Sequence, residues 1–173
     1  FRTSGPLVPA DTNDHSDVFV RNIAKGTTTL VSRANGPAGA VANDGGDRGI
    51  ISGNGERVAF VSHSANLGAV GGFDHVIVRD LVANSTLLAS RADGEAGAIA
   101  NASSSHPSLS FDGSKLVFAS GATNLDPADV ANPQSIYVRD LQSNDTSLVS
   151  RRPGPAGASL TGYSYSPTIS GNG

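Results

Sequence analysis

The chain has 173 residues, of which 38% are hydrophobic, and this is enough to bury the core of one domain. Its 12 Lys and Arg against 15 Asp and Glu give a net charge of −3, so no basic field exists to attract nucleic acid or an anionic membrane surface. It contains no cysteine, which excludes disulfides, zinc–thiolate sites and thiol catalysis, and no apolar run is long enough to span a bilayer.

Four short sequence landmarks occur three times along the chain. Val-Phe-Val-Arg-Asn at 18–22 recurs in related form at 76–80 and 136–140, so equivalent residues lie 58 and 60 positions apart. The other landmarks keep this spacing: Ser-Arg at 32–33, 90–91 and 150–151; Gly-x-Ala-Gly-Ala at 36–40, 94–98 and 154–158; and Ser-x-Asn/Asp-Gly at 52–55, 110–113 and 170–173. We therefore interpret residues 1–173 as one domain of three repeats, approximately 1–55, 56–113 and 114–173.

Each repeat is predicted to contain four short β-strands. β-branched and aromatic residues in short apolar runs, bounded by Gly and Asn, are typical of strands. Gly26, Asn84 and Asn144 occupy one repeat position and suit a hairpin turn that needs positive φ. No window has a sustained 3.6-residue apolar period, so helix is expected to be scarce. In chain order, the predicted strands are 18–22, 27–32, 49–52, 57–62, 76–80, 85–90, 107–110, 115–120, 136–140, 147–150 and 167–170.

The order of these landmarks resembles the TolB-like β-propeller repeat, a relative of WD repeats. The residues that carry the resemblance are Pro-x-Ile-Ser-x-Asn-Gly at 167–173, Val-x-Phe-x-Ser at 58–62, Asp-Val-Phe-Val-Arg at 17–21 and Thr-x-Leu-Val-Ser-Arg at 28–33. The first copy departs from the pattern, with Gly49 where the others have Pro107 and Pro167. The resemblance implies an all-β propeller with three four-stranded blades of about 58–60 residues. Propellers typically close with four to eight blades, so we expect half or part of a larger ring, completed by blades from a second copy or a longer chain.

An acidic segment in the first repeat is the candidate metal site. Asp11, Asn13 and Asp17 place carboxylate and amide oxygens at alternating positions, and such oxygens are the ligands that Ca²⁺ prefers. The alternative is an Asx-rich turn, in which these side chains bond to local backbone amides. The later repeats have Ala69, Gly71 and His75, or Asp129, Ala131 and Ser135, at these positions, so at most one repeat is a plausible site.

The repeated arginines and the four histidines are two further sets of candidate site residues. Arg21, Arg79 and Arg139, with Arg33, Arg91 and Arg151, are predicted to pair with carboxylates such as Asp80 and Asp140, and a ring of arginines lining an anion site is the alternative. His15, His63, His75 and His106 occupy different repeat positions and are interpreted mainly as surface or turn residues, because no Gly-x-Ser-x-Gly or HExxH motif accompanies them.

The Ser-x-Asn/Asp-Gly loops and the glycosylation sequons have simpler interpretations. The loops lack the lysine and the following helix of a phosphate-binding loop, so they are predicted to be hairpin turns. The sequons begin at Asn84, Asn101 and Asn144; because Asn84 and Asn144 already have a turn role, the sequons are interpreted as incidental.

These observations favour a non-catalytic binding scaffold that presents loops to a protein or glycan partner. No residue pattern identifies a catalytic centre or a cofactor other than the possible Ca²⁺. Two alternatives remain open: the propeller domain of a larger hydrolase or peptidase, and a lectin-like oligomer in which short chains complete the ring. An extracellular or periplasmic location is expected, with no membrane span and no nucleic-acid partner.

Overall fold

A computed structural model describes residues 1–129, 133–154 and 157–173. The described strands form three antiparallel sheets, joined by turns and one short 3-10 helix, Ala65–Leu67. Two parts of the sequence analysis lie outside these residues. They are positions 155–156 of the third Gly-x-Ala-Gly-Ala turn, and Ala131, the third-repeat counterpart of Asn13. No helix in the described part is long and apolar enough to cross a membrane.

The three sheets follow one another along the chain, as the three repeats predict. Each described strand pairs with its sequence neighbour, which makes every sheet a simple antiparallel meander. The first sheet contains β1 (Arg2–Thr3), β2 (Asp17–Asn22) and β3 (Thr27–Leu30). The second contains β4 (Asp47–Ile51), β5 (Arg57–Ser62), β6 (His75–Asp80) and β7 (Ser85–Leu88). The third contains β8 (Ser104–Leu109), β9 (Lys115–Ser120), β10 (Ser135–Asp140) and β11 (Thr146–Leu148).

The prediction of four strands per blade holds for the second and third sheets only. The first sheet has three described strands, because nothing in the described chain pairs with the free edge of β1. The prediction of a strand at residues 167–170 is wrong. These residues pair with no other strand among the described residues and do not form a strand. A strand needs a neighbour for its backbone N–H and C=O groups, and this segment has none here.

The core lies between consecutive sheets. Side chains alternate across a strand, so in β5 Val58 and Phe60 pack toward the first sheet while Ala59 packs toward the third. Each central strand is therefore covered on both faces, which explains its continuous apolar run. A third cluster joins the last sheet to Ile169, so the C-terminal segment covers the third sheet in the same manner.

The central residues Phe19, Ile77 and Tyr137 occupy equivalent places. All three are fully buried in the middle of β2, β6 and β10. Ile77 lies opposite Phe60, and Tyr137 lies opposite Phe118. This confirms the alignment of the three repeats that the spacing predicted.

The turns also follow the repeat. Gly26, Asn84 and Asn144 have φ of 64°, 56° and 67°, as predicted for the hairpin between the second and third strands of each repeat. In the Ser-x-Asn/Asp-Gly turns, Asn54 N–H donates to the carbonyl of Phe111 at 2.8 Å, and Phe111 N–H donates to Gly171 at 2.8 Å. These loops are hairpin turns that hydrogen-bond to their counterpart in the next repeat.

Candidate functional site

The periodic arginines hold the Gly-x-Ala-Gly-Ala turns in place. The Arg79 guanidinium, almost fully buried, donates to the carbonyl oxygens of Ala34 and Gly36 in the preceding repeat, both at 2.9 Å. Arg139 does the same to Ala92 at 3.0 Å and Gly94 at 3.2 Å. Burial, followed by the charge of a neighbouring arginine, lowers the pKa of both groups. Their role is structural, and they are not open to a ligand.

The predicted pairing of these arginines with carboxylates is therefore wrong. Asp80 pairs with Arg57 at 3.2 Å, and Asp140 pairs with Lys115 at 3.3 Å. The buried guanidinium meets backbone carbonyls instead, because the turn of the preceding repeat presents several of them to its fixed fork of N–H donors. The second arginine set serves the same turn: Arg33, Arg91 and Arg151 donate to the carbonyls of Gly39, Gly97 and Gly157.

A polar cleft of about 470 Å³ lies where the first strands of the three sheets, β1, β4 and β8, approach one another. His63 stands on one side, with Nδ1 3.3 Å from Asp74 and Nε2 3.8 Å from Asp44, and all three side chains are substantially exposed. Arg2 and Asp47 form an ion pair at 3.1 Å on another side. The cleft thus combines acidic and basic groups that solvent and ligands can reach.

Arg48 connects this cleft to a second, shallower groove of about 360 Å³. Its Nη1 lies 2.8 Å from Nε2 of His106, and Nδ1 of His106 lies 2.9 Å from the hydroxyl of Ser105. An arginine can only donate, so Nε2 accepts and the ring proton sits on Nδ1. Among the described side chains, no carboxylate lies within ion-pair distance of the Arg48 guanidinium.

The backbone at this place has the same unusual conformation in each repeat. Arg48, His106 and Ser166 are related by the repeat spacing, and their φ values are 52°, 52° and 49°. In β4 and β8 the residue lies within a shift of strand register, as in a β-bulge. A left-handed conformation costs a non-glycine residue about 1–2 kcal/mol, and such residues are concentrated at functional sites. The three polar residues Arg48, His106 and Ser166 line the same groove.

The acidic segment of the first repeat is partly buried. Asp17 is fully buried in β2, Asp11 is nearly so, and Asn13 donates to the carbonyl of Ala42 at 2.7 Å. Burial, and then the charge of Asp17, raises the pKa of Asp11. Asn13 Oδ1 also accepts the N–H of His15 at 3.0 Å, so an Asx turn is present here. In the described ranges no group of three or more His, Cys, Asp or Glu side chains is placed to hold a metal ion, and the calcium site stays a prediction.

The other histidines and the sequons have local roles. The four histidines were interpreted mainly as surface or turn residues, and His75 differs: it is fully buried in β6, with Nδ1 3.1 Å from the hydroxyl of Ser90, and burial lowers its pKa. Asn84 and Asn144 accept hydrogen bonds from Arg79 and Arg139 through their side-chain oxygens, which supports their turn role.

The sequence analysis did not single out Arg48, Asp44 or Asp74. A signal for Arg48 was present: it precedes Gly49 as His106 and Ser166 precede Pro107 and Pro167, so polar residues recur at one repeat position. Asp44 and Asp74 have no such signal, because no acidic residue recurs at their repeat positions, which hold Ala102 and Gly162 or Ser16 and Gln134.

The chain is similar to several solved structures of propeller-containing proteins. A TolB from Agrobacterium tumefaciens has 16% identity over 79% of this chain and a TM-score of 0.47; a TolB from Acinetobacter baumannii has 13% identity over 78% and a TM-score of 0.37. The tricorn protease has 18% identity over 72% and a TM-score of 0.43. The aligned part spans 42%, 37% and 12% of those chains, respectively. No family model matches the chain, and no curated protein matches it.

Proposed function

We propose that this protein is a non-catalytic β-propeller scaffold that binds a carboxylate-bearing segment of a partner protein at Arg48. The observation that supports this most directly is the Arg48 guanidinium, which His106 orients and which no described carboxylate neutralises. Arg48 lines both the cleft and the groove, so a ligand could enter from either. An arginine fork binds carboxylates through two parallel hydrogen bonds. The carboxylate of an acidic glycan has the same chemistry, and the experiment below separates the two sources.

The test compares two arginine variants on a peptide array and on a glycan array. Arg48→Gln is expected to weaken binding of acidic peptides roughly 10- to 100-fold, the loss typical of one charge-assisted hydrogen bond. Arg21→Gln is the matched control, because Arg21 is also exposed but contacts Thr28 on the outer strands. Equal binding by both variants would contradict the proposal, as would a wild-type protein that captures acidic glycans and no peptides.

The described cleft residues do not form a catalytic group of the kind that hydrolases use. His63 has two carboxylate neighbours, but in the described chain no hydroxyl is hydrogen-bonded to its imidazole, so the arrangement lacks an activated nucleophile. Membership of a larger hydrolase or peptidase remains the alternative. The intact mass of the natural protein tests it, since a second domain would favour the enzyme and a mass near 17.4 kDa the scaffold.

We also propose that further blades cover the outer sheets. β1 has one described strand neighbour, and exposed aromatic rings of Tyr163 and Tyr165 stack on each other near the third sheet. Burying apolar surface contributes about 25 cal/mol per Å², most of the stability of a repeat protein. Sedimentation of the 173-residue chain should therefore show assembly or aggregation, and a folded 17 kDa monomer with a cooperative melt would contradict this.

The proposed location is outside the cytoplasm, in the periplasm or the extracellular space. Fractionation of cells that express the natural gene, followed by detection in the periplasmic or culture fraction, tests it directly.

A further inference from the structure

The first sheet buries two carboxylates beside each other. Asp17 is fully buried in β2, and Asp11, in the loop before it, is 8% exposed. The two groups are close enough to interact electrostatically. Among the described residues, neither forms an ion pair with a Lys, Arg or His side chain. Removing charged groups from water without a counter-charge is costly, so a bound cation would stabilise this pair.

One oxygen of Asp17 identifies where that partner belongs. Its Oδ1 accepts a hydrogen bond from the hydroxyl of Ser32 at 2.5 Å, and this hydroxyl also accepts the N–H of Val18 at 2.9 Å. Its Oδ2 is buried and has no hydrogen-bond partner in the described structure. Buried carboxylate oxygens almost always have a donor or a cation beside them.

The third repeat has one carboxylate where the first has two. Asp129 is the equivalent of Asp11; the Tyr137 hydroxyl donates a hydrogen bond to its Oδ2, while its buried Oδ1 has no hydrogen-bond partner in the described structure. The first repeat has Phe19 in place of Tyr137, and so has no hydroxyl there, while Asp17 replaces Ser135. The first repeat has therefore exchanged a hydrogen-bond donor for a second carboxylate.

We propose that Asp11 and Asp17 bind a divalent cation, and that Ca²⁺ is the ion this site selects. The available groups are oxygens, which suit Ca²⁺ and not the nitrogen and sulfur preferences of Zn²⁺. Ca²⁺ completes its shell of six to eight oxygens with backbone carbonyls and water, and the side-chain oxygen of Asn13 retains a lone pair for it. The ion would also fix Ser16, which follows this loop and lines the polar cleft.

The experiment measures calcium binding and melting of the full chain. Calorimetric titration with CaCl₂ should show one site, and Ca²⁺ at 100 times its Kd should raise the Tm by about 5–10 °C over the value in EGTA. Asp17→Asn keeps the acceptor for Ser32 but removes the charge, so it should lose this rise and melt no lower than wild type in EGTA. Asp129→Asn, the matched change in the third repeat, should keep the full calcium response.

Two results would overturn the proposal. One is an absence of binding heat at millimolar CaCl₂ together with equal Tm values in Ca²⁺ and EGTA. The other is a calcium response that survives in Asp17→Asn, which would place the ion elsewhere.

Discussion

Replacing the buried arginines with methionine tests the argument that they fasten each repeat to the preceding one. Arg21, Arg79 and Arg139 occupy one repeat position, but Arg21 is exposed whereas Arg79 and Arg139 are 2% and 0% exposed. Methionine keeps an unbranched apolar stem and removes only the guanidinium. The three substitutions thus form a series in which the burial of the side chain changes and its position within the repeat does not.

The expected loss follows from the hydrogen bonds. Arg139 donates to the carbonyls of Ala92 and Gly94 and to the hydroxyl of Thr146 at 2.7 Å. Bonds from a charged donor contribute about 1.5–3 kcal/mol each, and the carbonyls would be left inside the protein without a donor. Because neighbouring groups relax, we expect Arg139→Met to lower the free energy of unfolding by about 3–5 kcal/mol, and Arg79→Met by a similar amount.

Urea denaturation followed by circular dichroism measures these differences. Arg21→Met should stay within about 0.5 kcal/mol of wild type, as exposed substitutions usually do. In thermal melts, Arg139→Met should lower the Tm by about 6–20 °C. An Arg139→Met protein as stable as wild type, or equal losses from Arg21→Met and Arg139→Met, would refute the fastening role.

Two further predictions concern a turn and a titration. In Gly97→Ala, the new Cβ would lie 2.1 Å from the carbonyl oxygen of Ala92, so the protein should unfold at a lower urea concentration. Gly162→Ala is the control, because its Cβ would meet nothing within 4 Å, and it should leave the stability nearly unchanged. Equal urea midpoints for the two variants would contradict the packing of this turn. Hydrogen bonds from the N–H of Ser114 and from the Ser110 and Ser114 hydroxyls lower the pKa of Asp112 to about 2. The stability linked to Asp112 is therefore present above pH 4 and is lost as the pH falls toward 2. NMR titration should show this low pKa, and Ser114→Ala should raise it. An Asp112 that titrates near 3.8 in the wild type would contradict the prediction.

The fold was predictable because the repeat is local and periodic. Equivalent strands share residue types, and an apolar run covered on both faces has the same signature in each copy. Phe19, Ile77 and Tyr137 could be aligned for this reason. The short helix at Ala65–Leu67 was not predicted, since three residues are too few to establish a helical period.

The arginine partners were not predictable from residue types. Asp80 directly follows Arg79, and so it was the natural candidate, but the acceptors are the backbone carbonyls of Ala34 and Gly36 some 45 and 43 residues away. Every residue carries a carbonyl, so such an acceptor leaves no mark in the sequence. The burial of His75 was missed for a related reason, because its partner Ser90 lies 15 residues along the chain, just beyond the end of β7.

The sequence alone determined the number of repeats, the strand order within each and the turn positions that need positive φ. These follow from short-range chemistry: alternating apolar residues, and Gly or Asn where a turn requires them. Only the tertiary structure decided which polar groups meet. Arg48 and His106 are 58 residues apart and come together because successive sheets stack with their first strands side by side. Packing between sheets sets the distance between these two side chains, and the sequence of a single repeat does not determine it.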